Sequence, residues 1–298
     1  MSHSERLILE ASQRRPAVLE LIRSTRRRLI LSVFRCQDFA ILDEIADAVS
    51  RGVQVTALLT PSAKNWDKRL QDLGLLLESM GVKMTRYAGE HAKYHAKYMV
   101  ADDETALVAS LNFTSKCFDR TCDFILTTTD PDVVIGLTAL FEADRARPPL
   151  ALPDNLGQRL LVGPEIARGR FASLIAGAQH QIRIIDHRVR DSQIVRLLQE
   201  RERAGVEVQI LGQGDLAGMT SHGKLLLIDE EVAVFGSASL ARPSLNERRE
   251  VAVTVTDPAL ICQLSEYFTQ LAARTPGGVE TASSARAADD LEEDEPEP

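Results

Sequence analysis

The sequence predicts an α/β protein made of two similar halves that pack face to face. In each half, short apolar runs rich in Leu, Ile and Val alternate with segments of helical periodicity, a pattern typical of a mixed sheet covered by helices. The second half repeats the first with two different constant distances in sequence between matching residues, which we call registers. The early register pairs Val53 with Val206, and the late register pairs His95 with His222. Two such registers indicate an internal duplication that contains a single insertion.

The first half is predicted to alternate between strands and helices. Residues 29–34 form an apolar run typical of a buried strand, and residues 39–50 place apolar side chains on one helical face until Gly52. Residues 53–59 predict the next strand. After a short apolar start at 6–9, the remaining predicted elements of this half are a helix at 16–25, a helix at 66–80, a strand at 82–87, a strand beginning near 95, strands at 106–110 and 124–129, and a helix from 130 to about 146.

A proline-rich linker follows the first half. Pro148, Pro149 and Pro153 preclude both a helix and a central strand. We therefore divide the chain into a first repeat at 1–147, a linker at 148–158, a second repeat at 159–274 and an acidic tail at 275–298 that we expect to be disordered.

The order of elements then repeats beyond the linker. Segments 160–162, 174–175 and 204–208 match segments 7–9, 21–22 and 51–55 in the early register. The change to the late register corresponds to the stretch that holds the predicted helix 66–80 and strand 82–87, which the second half lacks. We therefore expect one wall of the second half to be more open.

Charge and composition narrow the possible classes of protein. The chain of 298 residues has a formal net charge of −8, and most of this charge lies in the acidic tail. The rest is close to neutral, which gives no overall charge argument for nucleic-acid binding. Four cysteines without a C-x-x-C pair favour a reducing compartment, and no apolar run approaches the ~20 residues of a membrane span. We expect a cytoplasmic protein.

The longest shared motif places a histidine and a lysine two positions apart in each half. His95 and Lys97 match His222 and Lys224, and an aspartate follows each lysine at the same distance, Asp102 and Asp229. Because residues i and i+2 of a strand share a face, imidazole and ammonium point into the same space. The further polar residues that follow at matching positions are Ser110 and Asn112 with Ser237 and Ser239, and Asp123 with Glu250.

These residue types suit phosphoryl transfer. Two lysine ammoniums can neutralise phosphoryl oxygens without a metal, and one neutral imidazole can attack phosphorus while a protonated one serves the leaving group. We expect Ser110, Asn112, Ser237 and Ser239 to bind the substrate phosphate. Asp123 and Glu250 can accept a hydrogen bond from a histidine ring, although the spacing leaves open which carboxylate serves which ring. Asp102 and Asp229 are either structural or catalytic.

The paired motifs resemble those of the phospholipase D superfamily, in which H-x-K-x4-D is followed by G/A-S-x-N and then an acidic residue. The resemblance covers both halves, approximately residues 6–273, with two departures: Ser239 stands where Asn is usual, and Asp123 where Glu is common. It implies two tandem phospholipase D-like α/β/α repeats packed face to face with pseudo-twofold symmetry. It also implies a phosphohistidine intermediate resolved by water or an alcohol, with no cofactor and no metal, and favours His95 as nucleophile and His222 as acid.

Several other residues invite a functional interpretation. The triplet His91-Ala92-Lys93 copies the motif but lacks the acid and serine at the matching distances, so we assign His91 to a cleft rim or the surface. His91 and His95 would suit zinc only on a helix, whereas the downstream residues predict a strand. His180 and His187 are not followed by the lysine, serine and acid of the motif, and we expect them to be surface or structural residues.

Three functions fit the sequence. The first is a phospholipase D-like phosphodiesterase that hydrolyses or transphosphatidylates phospholipids, and the second half is similar to cardiolipin-synthase-like members. The second is a nuclease of the same superfamily, which the near-neutral charge disfavours. The third is a non-catalytic phosphate-binding module, which the intact His and Lys pairs disfavour. We expect a phospholipid or another phosphodiester as substrate, peripheral membrane contact, no transmembrane segment and a monomer.

Overall fold

The computed structural model describes residues 3–91, 93–212, 214–275 and 277–285. The first half contains, in chain order, β1 (Glu5–Ile8), α1 (Ala11–Ser24), β2 (Arg28–Val33), α2 (Phe39–Ser50), β3 (Gln54–Leu59), α3 (Asp67–Ser79), β4 (Lys83–Arg86), β5 (Lys93–Tyr94), β6 (Tyr98–Ala101), β7 (Thr105–Ala109), α4 (Ser115–Asp119), β8 (Thr121–Cys122), β9 (Ile125–Thr128) and α5 (Pro131–Arg145). The predicted helices and strands of this half are present, except that the strand expected to begin near residue 95 begins at Tyr98, so His95 and Lys97 lie between β5 and β6.

The second half contains β10 (Leu160–Gly163), α6 (Ala167–Gly177), β11 (Gln181–Ile185), α7 (Ser192–Arg203), β12 (Glu207–Leu211), β13 (Asp215–Leu216), β14 (Met219–Ser221), β15 (Leu225–Ile228), β16 (Val232–Gly236), α8 (Arg242–Asn246), β17 (Arg248–Val255), α9 (Pro258–Arg274) and β18 (Val279–Glu280). Where the first half has α3 and β4, this half has only the short hairpin β13–β14. That difference is the change of register read from the sequence.

The two halves build equivalent sheets. Within the described residues, the strand order is β1-β9-β7-β6-β2-β3-β4 in the first half and β10-β17-β16-β15-β11-β12-β18 in the second. In each, one parallel pair lies beside antiparallel neighbours: β2 runs parallel to β3, and β11 runs parallel to β12. The fold is therefore the predicted α/β architecture of two tandem repeats, and the mixed sheet arises because helical crossovers join only some of the strands.

The edge strand β18 differs from the sequence-based expectation. Residues from 275 onwards were expected to be disordered, but Leu211 and Ile210 of β12 pair antiparallel with Val279 and Glu280. Ala282 is fully buried against the core of the second half. The segment occupies the edge that β4 covers in the first half, so it protects an otherwise open strand. Residues 286–298, which carry most of the acidic side chains of the predicted tail, lie outside the described residues.

The halves are joined by strand pairing across their interface. Lys93 and Tyr94 of β5 run parallel to Arg248 and Arg249 of β17, and β8 runs parallel to β14 in the equivalent position. The two pairings are related by the late register seen in the sequence. One hydrophobic core runs through both halves, packing α5 and β6 from the first with α9 and β16 from the second. The interface is therefore part of a continuous core, and it positions the site.

Within the described residues, no helix is both long and apolar enough to cross a membrane.

Candidate active site

The two motif histidines lie at the interface between the halves. His95 follows β5, and its backbone N–H donates to the carbonyl of Arg249 in the other half at 2.8 Å. Gly223, beside His222, donates in the same way to the carbonyl of Cys122 at 2.6 Å. Both imidazoles are nearly buried, at 2 % and 5 % exposure. Each histidine is therefore held by the strand that leads into the acidic residue of the opposite half.

Each histidine pairs with the carboxylate of the other half. His95 Nδ1 lies 2.9 Å from Glu250 Oε2, and His222 Nδ1 lies 2.9 Å from both oxygens of Asp123. The sequence left this pairing open, and the crossed strands decide it. In each pair Nδ1–H donates to the carboxylate, which leaves Nε2 as the reactive ring atom. Neither half can assemble a complete site alone.

Both carboxylates are held in the ionised form. Burial raises the pKa of Asp123, but the charge and hydrogen bond of His222, together with Arg14 and Lys224, lower it to about 2. Burial also raises the pKa of Glu250, and His95, Lys97 and Arg248 outweigh that effect and lower it. Two buried anions at the interface can therefore stabilise imidazolium groups that form during a reaction.

Lys97 lies directly against the first imidazole. Its ammonium donates to His95 Nε2 at 3.0 Å and to the His95 carbonyl at 2.8 Å, as the i, i+2 spacing predicts. Lys97 is 1 % exposed and Lys224 is 4 % exposed, so both ammoniums lie in the site and not in bulk solvent. A phosphoryl group that enters beside His95 meets a fixed positive charge.

The serines of the second motif make hydrogen bonds beside the two carboxylates. The hydroxyl of Ser110 donates to Asp123 Oδ1 at 2.6 Å and accepts from the N–H of Phe124 at 2.9 Å. Ser237 makes hydrogen bonds with the backbone of Val251, to which it donates and from which it accepts. Both serines are fully buried and support the carboxylate strands, and their contact with the substrate phosphate stays a prediction.

Asn112 and Ser239 are also buried near the site, at 2 % and 5 % exposure. The N–H of Ser239 donates to Ser244 Oγ at 2.9 Å, and the Ser244 hydroxyl donates to Glu250 Oε1 at 3.1 Å. Ser244 therefore links Ser239, at the position where Asn is usual, to Glu250, the carboxylate that pairs with His95. The phosphate contact of the Asn112 and Ser239 side chains stays a prediction.

The contacts of the motif aspartates support the structural alternative. Asp102 accepts hydrogen bonds from the backbone N–H groups of residues 26, 27 and 28 at 2.7–2.9 Å, and Asp229 accepts from residues 179, 180 and 181 at 2.7–2.8 Å. Both also turn the chain at positive φ, 55° and 52°. Burial raises the pKa of each carboxyl, but the three N–H donors outweigh this effect and lower it. Asp102 holds β2 against β6 and Asp229 holds β11 against β15, both at the surface.

The structure brings two further residues to the site that the sequence analysis missed. His187, expected to be a surface or structural residue, is buried and stacks on His222 with ring centroids 6.3 Å apart. Phe34 takes the equivalent place beside His95, edge to face at 4.5 Å. The early register pairs Phe34 with His187, so this signal was present in the sequence.

The second copy of the triplet lies outside this cluster. His91 Nε2 pairs with Glu165 Oε1 at 3.2 Å, and its ring stacks on Tyr87. Glu165 in turn accepts from Arg249 Nη1 at 2.7 Å. His91 thus belongs to an ionic contact between the halves, in agreement with its assignment to a cleft rim.

One group of buried side chains has atoms close enough to share a metal ion: Cys117, Asp123 and His222, whose ligand atoms lie within 4.8 Å of one another. Asp123 already accepts from His222, Ser110 and Thr121. Its oxygens are thus used by hydrogen bonds that the buried charge requires. This group differs from the zinc pair considered from the sequence, which involved His91.

Known proteins are similar to this chain in sequence and in fold. The family model described as "Cardiolipin synthase, PLD-like domain" matches residues 18–145 and 215–272. A polyphosphate kinase from Mycolicibacterium gilvum (strain PYR-GCK) is 25% identical over 269 residues, which is 78% of this chain and 36% of the kinase. The chain therefore spans about a third of the length of this curated relative.

Two solved structures share the fold. The polyphosphate kinase from Porphyromonas gingivalis superposes with a TM-score of 0.73 at 18% identity, over 90% of this chain and 50% of that chain. The phosphatidylserine synthase from Haemophilus influenzae Rd KW20 superposes with a TM-score of 0.71 at 12% identity, over 93% of this chain and 87% of that chain. At these identities the likeness concerns the fold alone.

Proposed function

This chain belongs to the phospholipase D superfamily, and from that membership and the site we propose that it cleaves or transfers phosphodiester bonds through a phosphohistidine intermediate. The observation that carries the proposal is the crossed arrangement in which each buried histidine faces an ionised carboxylate of the other half. Such a pair supplies a neutral and a protonated imidazole to the same phosphorus. The leading substrate class is the phospholipid.

The reaction proceeds in two balanced steps. In the first, His95 Nε2 attacks phosphorus, an N–P bond forms, the P–O bond to the leaving group breaks, and His222 Nε2–H gives its proton to the departing oxygen. In the second, His222 takes a proton from water or an alcohol, whose oxygen attacks phosphorus and breaks the N–P bond. Water gives hydrolysis and an alcohol gives transfer. Lys97 and Lys224 neutralise the phosphoryl oxygens in both steps.

The contact between Lys97 and His95 favours the assignment of His95 as nucleophile. The Lys97 ammonium donates to His95 Nε2, which requires a lone pair on that nitrogen. His222 is held by both oxygens of Asp123, whose charge favours the protonated ring. The first ring is thus prepared to attack and the second to donate.

A second candidate is phosphoryl transfer to or from a phosphoanhydride. It is favoured by the curated relative, a polyphosphate kinase that matches 78% of this chain. The same histidines and lysines would serve it, since attack on an anhydride phosphorus needs the same nucleophile and the same charge neutralisation. The nuclease alternative requires a basic groove in a protein that is almost neutral before its acidic tail, and it stays third.

A substrate panel separates these candidates. Wild-type protein is incubated with labelled phosphatidylcholine, phosphatidylglycerol, single- and double-stranded DNA, and inorganic polyphosphate, and release or transfer of the labelled group is followed. His95→Asn and His222→Asn should each abolish turnover of the accepted substrate while the protein stays folded. His91→Asn is the matched control, because it removes the histidine of the neighbouring triplet, and it should keep full activity. Turnover that survives either motif change contradicts the two-histidine mechanism.

A further inference from the structure

Arg35 is a buried arginine that directly follows Phe34, the ring that packs on His95. It lies beyond the end of β2, and its carbonyl accepts from the N–H of Phe113 at 3.0 Å, which fixes the backbone next to Asn112. The side chain is only 2 % exposed. Its guanidinium lies 5.0 Å from the ring centroid of Phe34 and 5.0 Å from that of Trp66.

The guanidinium of Arg35 lacks the polar partners that other buried arginines have. In the described part of the chain, Arg35 Nε and Nη1 have no hydrogen-bond partner. Arg14 donates to the carbonyls of residues 9 and 121, and Arg249 donates to Asp144 and Glu165. Burying an unpaired ion is strongly destabilising, whereas a cation–π contact recovers only a small part of that free energy. The aromatic rings alone do not offset the burial of this charge.

Arg35 and Lys97 both lie on the Phe34 ring, which packs on the reacting histidine. The Lys97 ammonium lies 5.1 Å from the Phe34 centroid, on whose ring Arg35 also stacks. The two cationic groups therefore contact one and the same aromatic ring, which itself packs on His95. An anion that contacts Lys97 and His95 can carry a second anionic group to Arg35.

Trp66, one of the two rings around Arg35, is present in the first half only. It caps α3, in the stretch that the second half lacks. The early register pairs Arg35 with Arg188, which is only half-buried. The insertion that breaks the symmetry of the chain thus supplies one wall around Arg35.

We propose that Arg35 forms an anion subsite for a second phosphoryl group, joined by an anhydride link to the one that His95 attacks. A guanidinium presents a planar fork of N–H donors that matches phosphate oxygens, and a bound phosphoryl group supplies the partner that Nε and Nη1 lack. The subsite rests on the second candidate function, phosphoryl transfer to or from a phosphoanhydride, because it extends the same cleft. It makes a diphosphate or longer phosphoanhydride the preferred ligand over a single phosphate.

The test is a binding measurement that needs no turnover. Isothermal titration calorimetry gives the dissociation constants of inorganic phosphate and inorganic pyrophosphate for the wild-type chain, for Arg35→Met and for Arg69→Met. Arg69 is the matched control, since it stacks on the same Trp66 ring at 5.1 Å but is exposed. Wild type and Arg69→Met should bind pyrophosphate at least about tenfold more tightly than phosphate, because the second phosphoryl group gains charge-assisted hydrogen bonds. Arg35→Met should reduce this ratio to within about threefold of unity.

Two results overturn the proposal: a wild-type protein without preference for pyrophosphate, or an Arg35→Met variant that keeps the wild-type ratio. Thermal unfolding separates the subsite from a purely structural role. If Arg35 serves only to bridge the two rings, its loss lowers Tm and leaves the ratio unchanged. Arg35→Lys keeps the charge without the fork and should fall between the two ratios, which preserves the test should the methionine variant fail to fold. Absence of turnover in the substrate panel would refute the proposed function and leave this ratio intact.

Discussion

Replacing Asp123 by Asn tests the crossed pairing of the site most directly. The substitution keeps the shape of the side chain and removes its charge, 2.9 Å from His222 Nδ1. Ser110 and Thr121 can turn their hydroxyls to suit the amide, so the fold should persist. The protonated form of His222 then loses the anion that stabilises it.

The size of the effect follows from the contact. A hydrogen bond to a charged group contributes about 1.5–3 kcal/mol, and about 1.36 kcal/mol corresponds to one pH unit. With His222 as the acid, Asp123→Asn should move the basic limb of the pH–rate profile down by about one to two pH units. The rate at neutral pH should fall about 10- to 100-fold. Glu250→Gln acts on His95, which must be neutral to attack, so it should move the acidic limb to lower pH.

The assay is the pH dependence of kcat/KM on a chromogenic phosphodiester such as bis(p-nitrophenyl) phosphate, with wild type, Asp123→Asn, Glu250→Gln and the His91→Asn control. Opposite limbs should move in the two carboxylate variants, and neither should move in the control. Refutation would consist of Asp123→Asn and Glu250→Gln shifting the same limb, or of both profiles coinciding with that of wild type. An exchange of the two limbs would keep the pairing and reverse the roles of the histidines.

Three further predictions concern the metal dependence of the rate, the stability of the fold, and its stability at low pH. EDTA should leave the rate of diester cleavage unchanged, whereas strong inhibition reversed by zinc would assign an ion to Cys117, Asp123 and His222. Asp102→Ala and Asp229→Ala should each lower the free energy of unfolding by about 1–3 kcal/mol in urea denaturation, because each removes the acceptor of three backbone N–H groups. Both variants should keep kcat within about twofold of wild type. A large loss of kcat in the folded variants would contradict a structural role. The pKa of Asp123 is about 2 in the folded protein against 3.8 for a free side chain, so its charge contributes about 2 kcal/mol of stability that is present above pH 4 and lost as the pH falls toward 2. Asp123→Asn should accordingly show a flatter loss of stability over that range in acid denaturation.

The repeat itself could be read from the sequence because it needs only spacing. The distances from His95 to Ser110 and Asp123 recur from His222 to Ser237 and Glu250, and the pairings of β5 with β17 and of β8 with β14 follow the same late register. The alternation of apolar runs and helical periodicity likewise predicted the α/β class, since burial on a sheet and on a helix leave different periods.

The spacing of the motifs could not show which carboxylate pairs with which histidine. The sequence does not show that Glu250 pairs with His95, because both carboxylates lie at matching positions in the two halves. Parallel strand pairing across the interface brings the carboxylate of one half to the histidine of the other. The same holds for β18, whose sequence is too short and polar to predict a strand but which pairs with the edge of β12.

Arg35 shows the same limit, because it reads as one arginine among many until Phe34 and Trp66 enclose it. The sequence by itself determined the repeat and the residues with catalytic chemistry, because these are local patterns. The tertiary structure decided the partners, because a partner is set by which surfaces are buried together.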